Sequence, residues 1–198
     1  MTWLSYQNSM AFETVYFPEA SVEHTNKVLE TVKKYLSVDK TIEHVVVATT
    51  EGTVGEIFSK SLSDVRVIVV SHHTGFKQPN FNELDENKRM AIEKTGAKIL
   101  TTTHAFAGVA RGVRNALGTY SPTEIIAYAY RTFGQGTKVC AEIAMMAADA
   151  GLVPVDQNVI CVAGSGRGAD TAWIIKPTNT NKFIDLKMRI CLCKPITF

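Results

Sequence analysis

Four polar clusters carry the residue types that could do chemistry, and each follows or closes a short apolar run. Thr49-Thr50-Glu51-Gly52-Thr53-Val54-Gly55 comes after residues 45–48, and His72-His73-Thr74-Gly75 comes after residues 65–70. Thr102-Thr103-His104 closes the run 99–103, and Gly164-Ser165-Gly166-Arg167-Gly168-Ala169-Asp170 comes after residues 159–163. The first cluster has the most definite chemistry. Val54, Ile57, Phe58 and Leu62 recur behind it at the spacing of one buried helix face. A strand that feeds a helix through such a turn leaves backbone N–H groups unpaired at the helix start, with the positive end of the helix dipole behind them. That is an anion site. It suits a phosphate and is silent about what the phosphate is attached to; the same turn would also serve as an ordinary helix cap.

The other clusters are read against simpler roles. Gly164 to Ala169 fits G-x-G-x-x-A, the form of a dinucleotide fingerprint. A fingerprint must open a helix, yet Ala172-Trp173-Ile174-Ile175 is strand-like and Pro177 follows, so that reading is rejected. The glycines either bring backbone close to a ligand or make a plain hairpin turn. Arg167 within them offers a rigid donor fork to an anion or a polar ring edge. His72 and His73, as neighbours at a strand end, tend to point oppositely, so no metal is expected. His73 and His104 are the candidate catalytic residues, as acid/base or substrate-positioning groups. Cys191 and Cys193 read as ordinary thiols on one face of a strand. Glu142 and Asp149 read as the solvated stripe of a helix, with Glu142 facing the site as the alternative, and Arg111 and Arg114 as surface charge on a helix that starts at the site rim.

The elements that would position these groups alternate. Strands are expected at 14–17, 45–48, 65–70, 99–103, 159–163 and 171–176, with a last one through the alternating Ile184, Leu186, Met188, Ile190 and Leu192. Helices are expected behind Ser21, after Gly52, over 83–95, through Phe106, Val109, Val113 and Leu117, after the capping box Ser121-Pro122-Thr123-Glu124, and over 136–150. Strand–helix alternation demands an α/β fold: one three-layer α/β/α sandwich domain over residues 1–198 with a mixed, mainly parallel sheet. Ligands bind at the carboxyl ends of such strands, where all four clusters would meet.

Bulk properties exclude more than they select. A net charge of +2 with no Lys/Arg cluster gives no argument for nucleic acid or an anionic membrane. No apolar run approaches the ~20 residues of a membrane span. The four cysteines lack CxxC or zinc spacing, which predicts reduced thiols and a cytoplasmic location. Oligomeric state is left open, a homo-oligomer included.

Taken in order, the strings VVVATTEGTVGE, VVSHHTGF, GQGTKVCAEIAMMAADAG and GSGRGADTAWIIKPTNTNKFIDLKMRICLCKP resemble those of the small stand-alone proteins related to the pyruvate kinase C-terminal domain. The resemblance runs from about Tyr16 to Pro195. It implies a flavin mononucleotide (FMN) site, with the phosphate at the helix start on Thr49, Thr50, Gly52, Thr53 and Gly55. His73, Thr74, Gly75, Thr103, His104, Gly164, Ser165, Gly166, Arg167 and Asp170 would surround the flavin and anything stacked on it. Val54 stands where that family carries Ser or Thr, so Thr53 is the substitute donor, and Glu51 must point away from the phosphate. Pyruvate kinase does its chemistry in a separate barrel of roughly 250 residues, for which this chain has no room. The expectation is therefore an FMN-binding or similar phosphate-ligand protein, with flavin-dependent redox chemistry as one outcome. The alternative is a non-catalytic sensor of a phosphorylated metabolite.

Overall fold

The computed structural model describes residues 13–198. Its centre is a seven-stranded sheet in the order β1-β7-β6-β5-β2-β3-β4. The strands are β1 (Val15–Glu19), β2 (His44–Ala48), β3 (Arg66–Ser71), β4 (Lys98–Thr101), β5 (Val159–Ala163), β6 (Thr171–Lys176) and β7 (Lys187–Thr197). Only β6 runs against the rest; β5, β2, β3 and β4 are neighbours and parallel, as the apolar runs predict. The helices are α1 (Thr25–Val38), α2 (Thr53–Ser61), α3 (Glu86–Glu93), α4 (Gly108–Leu117), α5 (Pro122–Arg131) and α6 (Gln135–Asp149).

Burial on both faces of the sheet makes the three layers. Val45 and Val47 of β2 point to the layer of α1, α2 and α3, where Val28, Val32, Tyr35, Phe58 and Ile92 pack. Val46, between them, points to the other side, against Cys140, Ala144 and Met145 of α6. A strand covered twice reads as a continuous apolar run, which is why the parallel strands are so plain in the sequence. Helix α6 is buried almost throughout, including Lys138 and Glu142. A helix with so little solvated face has no room for a charged stripe, so the expected outward placement of Glu142 is wrong. Asp149, at its end, instead accepts bonds from the backbone N–H and hydroxyl of Thr180 (3.0 and 2.6 Å) and from Asn179 (3.1 Å).

Two further expectations fail locally. Phe106 is buried but precedes α4, packing on Tyr130 and Phe183. Val109 and Leu117 are 83% and 75% exposed, because α4 leans on α5 rather than on the sheet. In β7 the alternation of apolar residues does not define one face. Register shifts against β6 send Leu186 and Met188 to the α6 side, and Ile190, Leu192 and Cys193 to the α1 side. A bulge adds one residue to one strand and so reverses the facing of all that follows. Cys191 and Cys193 therefore do not form the expected pair on one face.

Gly55 shows what holds α2 to the sheet. A Cβ there would lie 2.5 Å from Val69 Cγ1 and 3.2 Å from Ile92 Cδ1. Its role is close helix–sheet packing, not contact with a ligand. Gly55→Ala is expected to lower stability by about 1–3 kcal/mol through overpacking. Urea unfolding measures this, and an unchanged midpoint would contradict the packing role.

Candidate ligand-binding site

Where the parallel strands end, the chain leaves a cleft of about 640 Å³. Its first wall is the turn from β2 into α2. Thr49, nearly buried, accepts through its hydroxyl from Gly52 N–H (3.2 Å) and Gly55 N–H (3.4 Å). Gly52 sits at φ +102°, which permits the tight turn. Two of the amides assigned to an anion are thus consumed inside the turn, a correction to the expected roles of Gly52 and Gly55. The amides of Thr50, Glu51, Thr53 and Val54 meet no acceptor among the described residues. Lys88 of α3 reaches Thr53 Oγ1 at 2.6 Å, bringing a cation to the same helix start and leaving the Thr53 hydroxyl proton free to be donated.

The loop between β5 and β6 closes the opposite side. Asp170 is buried and accepts from Ser165 N–H (3.0 Å) and from the Thr171 hydroxyl (2.6 Å), so it shapes the loop instead of facing a ligand. Gly164 passes so close to Gly168 that a Cβ would lie 2.3 Å from the carbonyl oxygen. Gly164, Ser165, Gly166 and Arg167 line the cleft, and the buried Ser165 Oγ has no hydrogen-bond partner among the described residues. Arg167 pairs with Glu51 across the mouth at 3.0 Å, both side chains being largely exposed. The carboxylate that should have disturbed an anion is drawn to the opposite loop.

Past β3 the chain turns, so His72 and His73 do not diverge. Both rings lie 5.3 Å from the ring of His104. His72 stacks on Phe76 and bonds Glu83 at 2.7 Å; His73 holds the Thr74 carbonyl. His72, Phe76 and His104 line the cleft. His73, Thr74, Gly75 and Asp170 do not line it, and Thr103 lines a neighbouring cleft beneath α4. Among the described residues no group of three or more His, Cys, Asp or Glu side chains is placed to hold a metal ion.

The floor carries Lys138, which the sequence reading did not single out, and Glu142, which it read first as solvated. Lys138 and Glu142, one turn apart on α6 and each about 5% exposed at the side chain, form a tight ion pair. Glu142 also accepts from Phe106 N–H at 2.9 Å, tying α6 to the segment entering α4. Burial pulls the Lys138 ammonium below its ordinary pKa, against the attraction of Glu142. Burial likewise lowers His104 to about 4, with Glu142 opposing the shift. His104 is therefore neutral at physiological pH, able to give or take a hydrogen bond. Arg111, over the Phe76 ring at 4.9 Å, and Arg131, bonded through Nε to Gln135 at 2.7 Å, complete this wall.

Together these features define an α/β/α protein with a cleft of mixed polar and apolar lining at the carboxyl rim of its sheet. No known family model matches the chain. A solved structure described as a pyridoxal 5'-phosphate-dependent aspartate racemase superposes with TM-score 0.32 and 15% identity, over 72% of this chain and 47% of that one. This chain thus spans about half the length of that protein, and a superposition so loose carries no statement about function. No described helix is long and apolar enough to cross a membrane.

Two outcomes follow from the floor. Lys138→Met should destabilise the protein by about 3–5 kcal/mol, because Glu142 is left buried without its counter-ion, and Lys138→Met with Glu142→Leu should cost less than that single change. Equal or greater loss in the double variant, by denaturant titration, would show that the pair is not the cause. For His104, a folded pKa near 4 against an ordinary 6.5 means that acid charges the unfolded chain first. Its stabilisation, roughly 3 kcal/mol, is present above pH 6.5 and lost as pH falls from 6.5 towards 4. His104→Asn should flatten the stability profile across that window, read as thermal midpoint against pH.

Proposed function

We propose that this cleft binds FMN or a similar phosphorylated small molecule, with the phosphate at the start of α2. The observation that carries the reading is the set of unpaired amides at Thr50, Glu51, Thr53 and Val54, four residues that line the cleft, two of them with hydroxyls. Helix α2 supplies its positive end and Lys88 a neighbouring charge. The resemblance to the pyruvate kinase C-terminal domain family suggests the same placement, with a narrower donor set than expected.

A volume of about 640 Å³ falls within the 300–1,000 Å³ of small-molecule sites. Val139, Ile143 and Met146 of α6 provide apolar floor, Phe76 an aromatic edge, and the unpartnered Ser165 Oγ a polar contact from the facing loop. These fit a planar ring carrying polar edges. When bound, a flavin would supply electron transfer. The chain's own part is to hold the phosphate, to orient the ring between the two loops, and to keep the neutral His104 beside whatever stacks on it. Arg167 would contribute by leaving Glu51 for the ligand.

Thr50→Val with Thr53→Val is expected to weaken FMN binding by about 10- to 100-fold, the loss of one or two hydrogen bonds to a charged group. Riboflavin, which has no phosphate, should bind both proteins equally. Flavin fluorescence titration measures all four combinations. Equal FMN affinity in both proteins would remove the phosphate from the α2 start.

A further inference from the structure

The charged groups of the cleft do not cancel. Glu51 is matched by Arg167 and Glu142 by Lys138. Glu23, just ahead of α1, lines the cleft with no cation partner among the described residues, so one carboxylate stands against the two arginines that remain. Arg111 and Arg131 line the same cleft from α4 and α5, and among the described residues neither meets a carboxylate. Each is nevertheless held in place. Arg111 lies over Phe76 at 4.9 Å; Arg131 lies over Tyr128 at 5.0 Å and is pinned through Nε by Gln135. Pinning through Nε leaves the two terminal nitrogens of Arg131 free to donate. Both guanidinium groups lie near enough to Lys138 for their charges to disfavour its ammonium. Clustered like charges repel, and a half-buried cluster keeps little water to screen them. Two pre-positioned donor forks with no acid to meet make a receptor for one.

We infer that the α4–α6 wall of the cleft is a second anion subsite, in which Arg111 and Arg131 hold a carboxylate or phosphate group remote from the α2 start. The inference deepens the reading above and rests on it for one point, that the acidic group shares the cleft with a phosphorylated ligand. The acid has two sources: the far end of the phosphorylated molecule, or a separate small acid lying beside it. In either case the preferred occupants of the cleft carry at least two acidic groups between them. Lys138 is not counted as a third ligand for that acid, since its ammonium is paired with Glu142 and the two are nearly neutral from a distance.

The matched pair 6-phosphogluconate and sorbitol 6-phosphate differ in a carboxylate against a hydroxymethyl group at the end remote from phosphate. Calorimetric titration of the full chain compares them in the wild type and in Arg111→Gln/Arg131→Gln. Citrate, which has no phosphate, is titrated into these two proteins and into Thr50→Val/Thr53→Val, with inorganic phosphate present. With the acid on the same molecule, the wild type binds 6-phosphogluconate at least about tenfold tighter than sorbitol 6-phosphate, and the arginine variant abolishes that ratio. With the acid on a separate molecule, the pair binds equally, while citrate binds the wild type and the threonine variant alike and the arginine variant at least about tenfold more weakly. If neither sugar phosphate binds but citrate shows this pattern, the phosphate reading fails and the subsite stands. Equal binding of the pair together with equal or absent citrate binding in wild type and arginine variant overturns the subsite. Should the double substitution fail to fold, Arg111→Gln alone, which loses only a ring contact, replaces it with the same outcomes.

Discussion

Strands that run in one direction must end on one rim, and here six of seven do so. That constraint comes before any of the chemistry. Each parallel pair needs a crossover that returns over a face of the sheet, so every β–α turn is delivered to the same edge. The antiparallel β6 does not break the pattern, because its first residue Thr171 stands opposite Ala163, the last of β5. The glycine-rich loop that joins them therefore opens on the same rim as the turns after β2 and β3. Two independent structures, a helix start and a hairpin, come to face one another without any long connection.

What keeps these loops apart is an internal satisfaction of their polar groups. Thr49 gathers two amides into the β2–α2 turn, and Asp170 gathers an amide and a hydroxyl into the β5–β6 loop. Each loop thereby has a fixed shape of its own, and the residues that carry the remaining unpaired groups line the cleft. The glycines divide by the same logic. Gly55 and Gly164 are dictated by packing, since a Cβ would strike Val69 or Gly168, whereas a Cβ on Gly166 would meet nothing within 4 Å. A glycine-rich string is not by itself a ligand contact; only the accounting of each neighbour says which residue serves which purpose.

The parts of the fold that were legible in the sequence are those governed by burial on both faces. Residues 45–48, 65–70 and 159–163 are apolar because helices cover both sides, and they pair as expected; the half-buried edge strand β4 pairs as expected too but ends at Thr101, short of the expected 103. The orientation of β7 was not legible, because a bulge leaves no mark on an alternating pattern while it reverses the faces. Helix α4 was misread for a related reason. Spacing shows that Val109, Val113 and Leu117 share one side, but not whether a sheet lies beneath that side. In the site, the hydroxyls and His104 were found because polar residues at strand ends stand out. Glu142 was read with Asp149, seven residues on, as a solvated stripe, and Lys138 was not singled out, because charged residues two turns apart on a helix resemble an outward face. The available signal lay around them: Val139, Cys140, Ala141, Ile143, Ala144, Met145 and Met146 leave that helix almost no polar face.

That buried pair also sets the electrostatics of the whole cleft. Removing Lys138 and Glu142 from water is costly, and their mutual attraction compensates only because Phe106 N–H and the pair's own hydrogen bond complete the satisfaction. Once formed, the pair is nearly neutral from a distance, so it cannot balance Arg111 and Arg131. Nor can the exposed Glu51, which Arg167 holds at the mouth. The burial that keeps His104 uncharged removes one more positive charge from the floor, leaving the repulsion chiefly between the two arginines. The cleft is thus arranged with its excess charge on one wall and a helix start on the other. An occupant with negative groups at both ends, as proposed, would meet both walls, with the uncharged His104 lining the cleft beside it.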